Sequence, residues 1–181
     1  RKMGSVPETL EELAAHAMTV GPQGRILPAP PLMHGTGLLT GMGGMLSGGT
    51  VITLEGARFD AEELLDAVDR HKPDSLVIVG DSFGTPILNA LNAHPGRWDV
   101  SSIRMILSSG VMWSYEVKQG MLEHMPQAVL SDAFSSSEAL GMGQSMMAKG
   151  MEVQTAKFML GERCKVFDEH DQPVAPGSGV P

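Results

Sequence analysis

Ala128-Val129-Leu130-Ser131-Asp132-Ala133-Phe134-Ser135-Ser136-Ser137-Glu138-Ala139-Leu140-Gly141 is a short apolar run that passes directly into a loop of hydroxyls, one aromatic ring and one carboxylate. The apolar part reads as the end of a buried strand. Ligands of open α/β sheets bind at the carboxyl ends of such strands. The loop's chemistry suits a nucleotide. Its ring can stack on a flat base. Its hydroxyls can hydrogen-bond phosphate oxygens. Its carboxylate can hold Mg²⁺, which takes one or two protein carboxylates plus phosphate oxygens. The plainer reading is a Ser-rich surface loop, because serine favours turns.

The segments before it repeat the theme. Residues 103–107 are apolar and run into Ser108-Ser109-Gly110. Residues 75–79 form a continuous apolar strand, as in a parallel sheet buried on both faces. Residues 25–29 and 50–54 read as two further strands. Helices are predicted between them. The apolar, Gly-rich run to Ser47 fits a buried helix packed closely on its neighbour. Asp60, with Glu63 three residues later, opens a helix through His71 in the manner of a capping box. A third helix spans about 85–93, and Ser114 caps a fourth that runs to His124. Strand–helix alternation of this kind predicts a parallel α/β fold.

The flanks are different. Residues 8–20 read as a helix, with Pro7 suited to its first turn. Residues 143–159 are Met-rich and carry no clear period. Residues 163–167 alternate like a strand with one wet face, 168–172 form a turn, and Val174 begins a partner strand. The expected division is an N-terminal helix and linker over 1–24, an α/β subdomain over 25–145, and the start of a small β unit over 146–181. The sheet is expected to be mostly parallel, with flanking helices. A chain that opens on Arg1-Lys2-Met3 and closes on Gly179-Val180-Pro181 reads as a piece of a longer protein.

Composition narrows the function. The 181 residues are 42% hydrophobic, enough for a sizeable core. A net charge of −8 argues against nucleic acid or an anionic membrane as the main partner. The one cysteine, Cys164, excludes an internal disulfide and points to a reducing cytosol, so a cytoplasmic location is expected. No apolar run approaches a membrane span, and no signal peptide opens the chain. The 14 methionines suggest adaptable apolar surfaces, suited either to a greasy ligand or to core filling.

Three constellations could carry chemistry. Gly80-Asp81-Ser82-Phe83-Gly84 matches the G-x-S-x-G nucleophile elbow between a strand and a helix. The order Ser82, Asp132, His170 then satisfies the chain order of α/β-hydrolase triads. His170, however, lies in a charged turn, where a solvated residue is the plainer reading. The second constellation is nucleotide chemistry without a Walker loop or a complete G-x-G-x-x-G. Here the loops at Ser109-Gly110-Val111 and at Asp132 to Glu138 flank one crevice, with Gly110 admitting a base and Phe134 as the opposite wall. The third is a metal site, and the six histidines show no ligand spacing. His34 differs from the rest because it sits between a Pro-rich strand end and a Gly-rich helix, where its ring could enter a pocket. A hydrolase, a nucleotide enzyme and a non-catalytic nucleotide-binding fragment all remain open on these residues alone.

The same residues, taken in order, resemble the adenylate-forming (AMP-binding) acyl-CoA synthetase superfamily. Pro30-Pro31-Leu32-Met33-His34-Gly35-Thr36-Gly37 resembles its P-L-x-H-x-x-G segment. Residues 103–114 resemble L-R-x-x-x-S-G-G-A-P-L-S, residues 133–138 resemble x-Y-G-x-T-E, and residues 169–177 resemble the D-E-x-G-x-P-x-P-x-G turn. The flavour is similar to actinobacterial ligases for fatty or steroid-side-chain acids.

The resemblance implies a central piece of the large N-terminal domain of an ATP-dependent acid–thiol ligase. Such an enzyme converts a carboxylate to an acyl-adenylate with Mg·ATP and passes the acyl group to CoA. It implies that Ser109, Gly110, Val111, Asp132, Ala133, Phe134 and Ser135 form the adenylate site, with Phe134 stacking where the family has Tyr. Ser137 takes the Thr role at phosphate, Glu138 binds Mg²⁺, and His34 stands by the acyl carboxylate or gates its pocket. The Gly80–Gly84 stretch becomes an acyl-pocket wall. The family's phosphate loop, ribose-binding Asp and catalytic Lys domain are expected outside these 181 residues, so the chain by itself is expected to be inactive. The acid is expected to be hydrophobic, and exposed apolar surface makes a homo-oligomer an expectation too.

Overall fold

The computed structural model describes residues 9–12, 14–15, 24–56, 58–136, 142–151, 158–161 and 164–174. Four strands alternate with four helices in the order β1 (Arg25–Pro28), α1 (Gly35–Leu46), β2 (Thr50–Val51), α2 (Ala61–His71), β3 (Ser75–Ile78), α3 (Gly80–Ala93), β4 (Met105–Ser109) and α4 (Tyr115–His124). Then come three strands, β5 (Val129–Phe134), β6 (Gly143–Ala148) and β7 (Met159–Leu160). All seven join one sheet in the order β2-β1-β3-β4-β5-β6-β7. The first five run parallel, and β6 and β7 pair antiparallel at the far edge. The expected α/β class holds. Helical residues 10–12 and 14–15 fall within the predicted N-terminal helix.

The order of strands decides where the helices go. From β1 the chain steps outward to β2, then reverses past β1 to β3 and continues to β5. Parallel crossovers are right-handed, so a reversal of direction moves the helix to the other face. Accordingly α1 packs on β1, β2 and β3 from one side, while α2, α3 and α4 pack on one another across the other. On that three-helix side, register aligns Leu27, Leu76, Ile106 and Leu130, with Met147 beyond them. These residues meet Leu64, Leu65, Ile87, Met121 and Trp113 in the main core. Each such side chain contributes about 1.5–3 kcal/mol on burial.

The helix caps follow the sequence. Asp60 accepts from the N–H groups of Glu62 and Glu63, and Ser114 accepts from Val117 N–H. Glu63 does not reach back to Asp60. Its carboxylate accepts from Glu55 N–H and Gly56 N–H, tying the preceding loop to α2.

Three local expectations change. The run ending at Leu46 is helical but not buried, because α1 is the one described helix on its face of the sheet. Only Gly37 and Gly41 are buried, while Leu38, Met42, Met45 and Leu46 stay exposed. The helix expected from residue 85 starts at Gly80 instead, since Gly80 N–H finds Ser108 Oγ and Asp81 N–H finds Met112 C=O. Pro86 therefore sits inside the helix. The strand expected over 50–54 shrinks to Thr50–Val51. Further on, the predicted turn after 167 is present. Phe167 bridges Pro173, and Asp168 Oδ1 accepts from His170 N–H and Gln172 N–H.

Candidate functional site

A cavity of about 290 Å³ opens at the carboxyl ends of β4 and β5, on the α1 side of the sheet. Its floor comes from alternate residues of the two strands, Leu107 and Ser109 of β4 and Ala133 of β5, which share one face by register. Ser135 and Ser136, just beyond β5, and Gly110, just beyond β4, form the rim. The wall is the start of α1, with His34, Gly35, Thr36, Leu39 and Thr40. Period-2 alternation in the strands and the i, i+4 repeat in the helix thus bring distant segments around one space.

His34 is the N-cap of α1, and its Nδ1 accepts from Thr36 N–H at 3.2 Å. That bond fixes the ring and leaves Nε2 as the nitrogen for a ligand. Gly110 has φ +96, a conformation that a side chain resists. A Cβ there would touch His34 Cε1 at 3.8 Å, so the two loops stand in near contact across the cavity. Among the described residues, hydroxyls, an imidazole and aliphatic groups line the space, and no lysine, arginine or carboxylate does.

The structure brings together His34, Ser109, Gly110, Ala133 and Ser135 of the predicted site. Val111 and Phe134 lie outside the lining. Phe134 is 51% exposed, and its ring stands 5.9 Å from that of Phe158. Asp132 points to the opposite face, where its Oδ2 lies 2.9 Å from Lys118 Nζ in a buried ion pair. Burial pushes the Asp132 carboxyl above its ordinary pKa, Lys118 opposes that shift, and the charge of Asp81 adds to it. Ser137 and Glu138 lie outside the described residues. Among the described residues no cluster of His, Cys, Asp or Glu could hold a metal ion.

The hydrolase constellation is not assembled. Asp132 meets Lys118 rather than a histidine, and His170 faces Glu169 in an exposed turn. Ser82 is exposed in the first turn of α3, and none of residues 80–84 lines the cavity. Sequence reasoning missed Thr36 and Thr40, which add hydroxyls to the lining. The spacing Thr36, Leu39, Thr40 on a helix beginning at residue 35 was the available signal. Lys118 was missed as well, since nothing local marks it as buried. No described helix is long and apolar enough to cross a membrane.

Comparison with known proteins places the chain in a family. The model of the AMP-binding enzyme family matches residues 5–179. The chain is 31% identical over 157 residues to the medium/long-chain-fatty-acid–CoA/3-oxocholest-4-en-26-oate–CoA ligase of Mycolicibacterium smegmatis, covering 84% of this chain and 28% of that protein. It is also 31% identical to the 3-oxocholest-4-en-26-oate–CoA ligase of Rhodococcus rhodochrous, again over 84% of this chain and 28% of the relative. A benzoate CoA ligase from Burkholderia xenovorans shares the fold, with a TM-score of 0.66 at 19% identity over 86% of this chain and 31% of that one. The chain therefore spans under a third of the length of these relatives. With the family model matching nearly end to end, this chain belongs to the AMP-binding enzyme family.

Proposed function

We propose that the cavity receives an acyl-adenylate, as part of an enzyme that activates a hydrophobic carboxylic acid with ATP and transfers it to CoA. The observation that carries this reading is the convergence of His34, Ser109, Gly110 and Ser135 on one space at the strand ends. Gly110, flanked by Ser109 and Val111, offers the backbone edge against which a flat base can lie. Phe134, exposed at the end of β5, supplies an aromatic face. His34 donates from Nε2 toward the acyl carboxylate, since its other nitrogen already accepts from Thr36. Leu39 gives the acyl side an apolar wall. The names of the relatives support a fatty or steroid-side-chain acid.

Ser137 as the phosphate hydroxyl and Glu138 as the Mg²⁺ carboxylate belong to the same proposal. Among the described residues no group of three or more His, Cys, Asp or Glu could hold the ion. When bound it would neutralise charge on the phosphates. The 181-residue chain alone is expected to form no acyl-CoA, as positioning and stabilisation of the transferred phosphates need more donors than this cavity holds.

Calorimetric titration with dodecanoyl-sulfamoyl-adenosine, a stable mimic of the acyl-adenylate, tests the reading. Saturable binding, weakened by Phe134→Ala and unchanged by Ser82→Ala, is the expected result. Absence of binding, or binding indifferent to Phe134→Ala and Gly110→Val, overturns it. Labelling of Ser82 by a fluorophosphonate would favour the hydrolase instead.

A further inference from the structure

The Gly80-Asp81-Ser82-Phe83-Gly84 motif has no part in the cavity lining, yet its backbone is held in an unusual way. Gly80 has φ +50, and a Cβ on it would collide with the carbonyls of Val111 and Met112. Its N–H donates to the buried Ser108 Oγ at 2.9 Å. Asp81 then makes two contacts with the loop after β4. Its N–H donates to Met112 C=O at 3.1 Å, and its Oδ1 accepts from Ser114 N–H at 2.9 Å. Gly84 lies against the fully buried Trp113 indole. The motif therefore grips the loop that carries Gly110 and Val111 from beneath.

The grip extends to the other side of the cavity. Ser114, which Asp81 holds, is the N-cap of α4. One turn later Lys118 donates its backbone N–H to Ser114 C=O. Lys118 Nζ lies 5.3 Å from the Trp113 ring centroid and forms the buried pair with Asp132, the residue before Ala133 in the cavity floor. The first turn of α4 is thus fastened at once to the post-β4 loop and to the end of β5.

We propose that Asp81 is a positioning residue for the cavity. Through Ser114 it sets the height of the Gly110–Val111 loop, and through the same turn of α4 it sets that loop's spacing from Ala133 and Ser135. It touches no ligand. This rests on the reading of the cavity as the acyl-adenylate site, and the test separates the two.

The 181-residue chain is compared as wild type, Asp81→Ala and Asp81→Asn. Asparagine keeps the acceptor oxygen for Ser114 N–H, and alanine removes it. Amide hydrogen exchange is measured across the chain, and affinity for dodecanoyl-sulfamoyl-adenosine is measured at a temperature where all three are folded. Asp81→Ala is expected to speed exchange about tenfold at residues 111–114 and measurably at 133–136, the size of one lost hydrogen bond to a charged group, with β3 and α2 unchanged. Its affinity is expected to fall about tenfold, with Asp81→Asn within about threefold of wild type in both readouts.

Exchange that rises uniformly over the sheet, or affinity unchanged in Asp81→Ala, overturns the proposal. If wild type does not take the mimic, the functional reading falls. The exchange pattern and its rescue by asparagine then still decide whether Asp81 links the two loops.

Discussion

Lys118 Nζ and Asp132 Oδ2 stand 2.9 Å apart under the end of β5, with only 5% and 8% of their side chains exposed. A buried pair of this kind adds little net stability, but breaking it leaves one charge without a partner. Lys118→Met is expected to cost about 3–5 kcal/mol at neutral pH, and Lys118→Met combined with Asp132→Leu to recover most of that loss. Urea denaturation of the two variants measures both. Equal destabilisation by the single and double variants would refute the account.

The same pair sets a pH dependence. The Asp132 carboxyl is pushed up mainly by burial, so the fold favours its protonated form. Its contribution is fully present below the ordinary carboxylate pKa of about 3.9 and is lost as pH rises through the raised value. Without Lys118 the carboxyl rises further, so the cost of Lys118→Met should grow with pH. Denaturation midpoints at several pH values between about 4 and 8 check the slope. A cost that shrinks with pH would contradict it.

Asp99 has the opposite sign. Lys72 caps α2 in a left-handed conformation and places its ammonium 2.6 Å from Asp69 and 2.8 Å from Asp99. Hydrogen bonds from Lys72 and Ser101 hold the Asp99 carboxyl well below the usual range. Stability from Asp99 is therefore present above about pH 3.9 and lost as pH falls toward the depressed value. Asp99→Asn should flatten the acid limb of a melting-temperature profile. An unchanged acid limb would show that this exposed triad contributes nothing measurable.

Gly80 admits no side chain, because a methyl group would meet two backbone carbonyls at a positive φ. Gly80→Ala is expected to cost about 2–4 kcal/mol, combining strain with overpacking. Gly110→Ala meets only ordinary contacts, so its cost should be confined to backbone strain, about 1–2 kcal/mol. Thermal unfolding of the two variants gives the ranking. A larger loss at Gly110 would reverse the assignment of which glycine is sterically locked.

Leu38, Met42, Met45 and Leu46 of α1 are joined by Met33, Met105 and Met146 among the exposed apolar side chains. Exposed apolar surface of this kind favours association. Sedimentation velocity of the 181-residue chain should show concentration-dependent self-association, reduced in Met45→Lys. A monomer at all concentrations would count against it.

The parallel sheet, the Asp60 and Ser114 caps and the cavity residues His34, Ser109, Gly110, Ala133 and Ser135 could be read from local pattern, because each depends on periodicity or on a loop after a strand. Strand β6 could not. Its inward residues are Gly143, Ser145 and Met147 and its outward ones include Met146, so hydropathy does not alternate although burial does. The elbow pattern misled for a related reason. Five residues resemble a nucleophile turn, but the positive φ falls on Gly80, and Ser82 enters an exposed helical turn. The Lys118–Asp132 contact joins a helix to a strand across the packed interior, and composition carries no trace of it.

The reversal of strand order after β2 leaves the two sides of the cavity with unequal support. The floor loop after β4 is braced by α3 and α4, which pack on each other, whereas the opposite wall is one helix that brings Gly37, Gly41 and Gly44 close to the sheet and its preceding loop. Substitutions along α1 can therefore reshape one wall while the other keeps its form. Such a chain can diversify what it accepts on one side without renegotiating the fold that holds the rest.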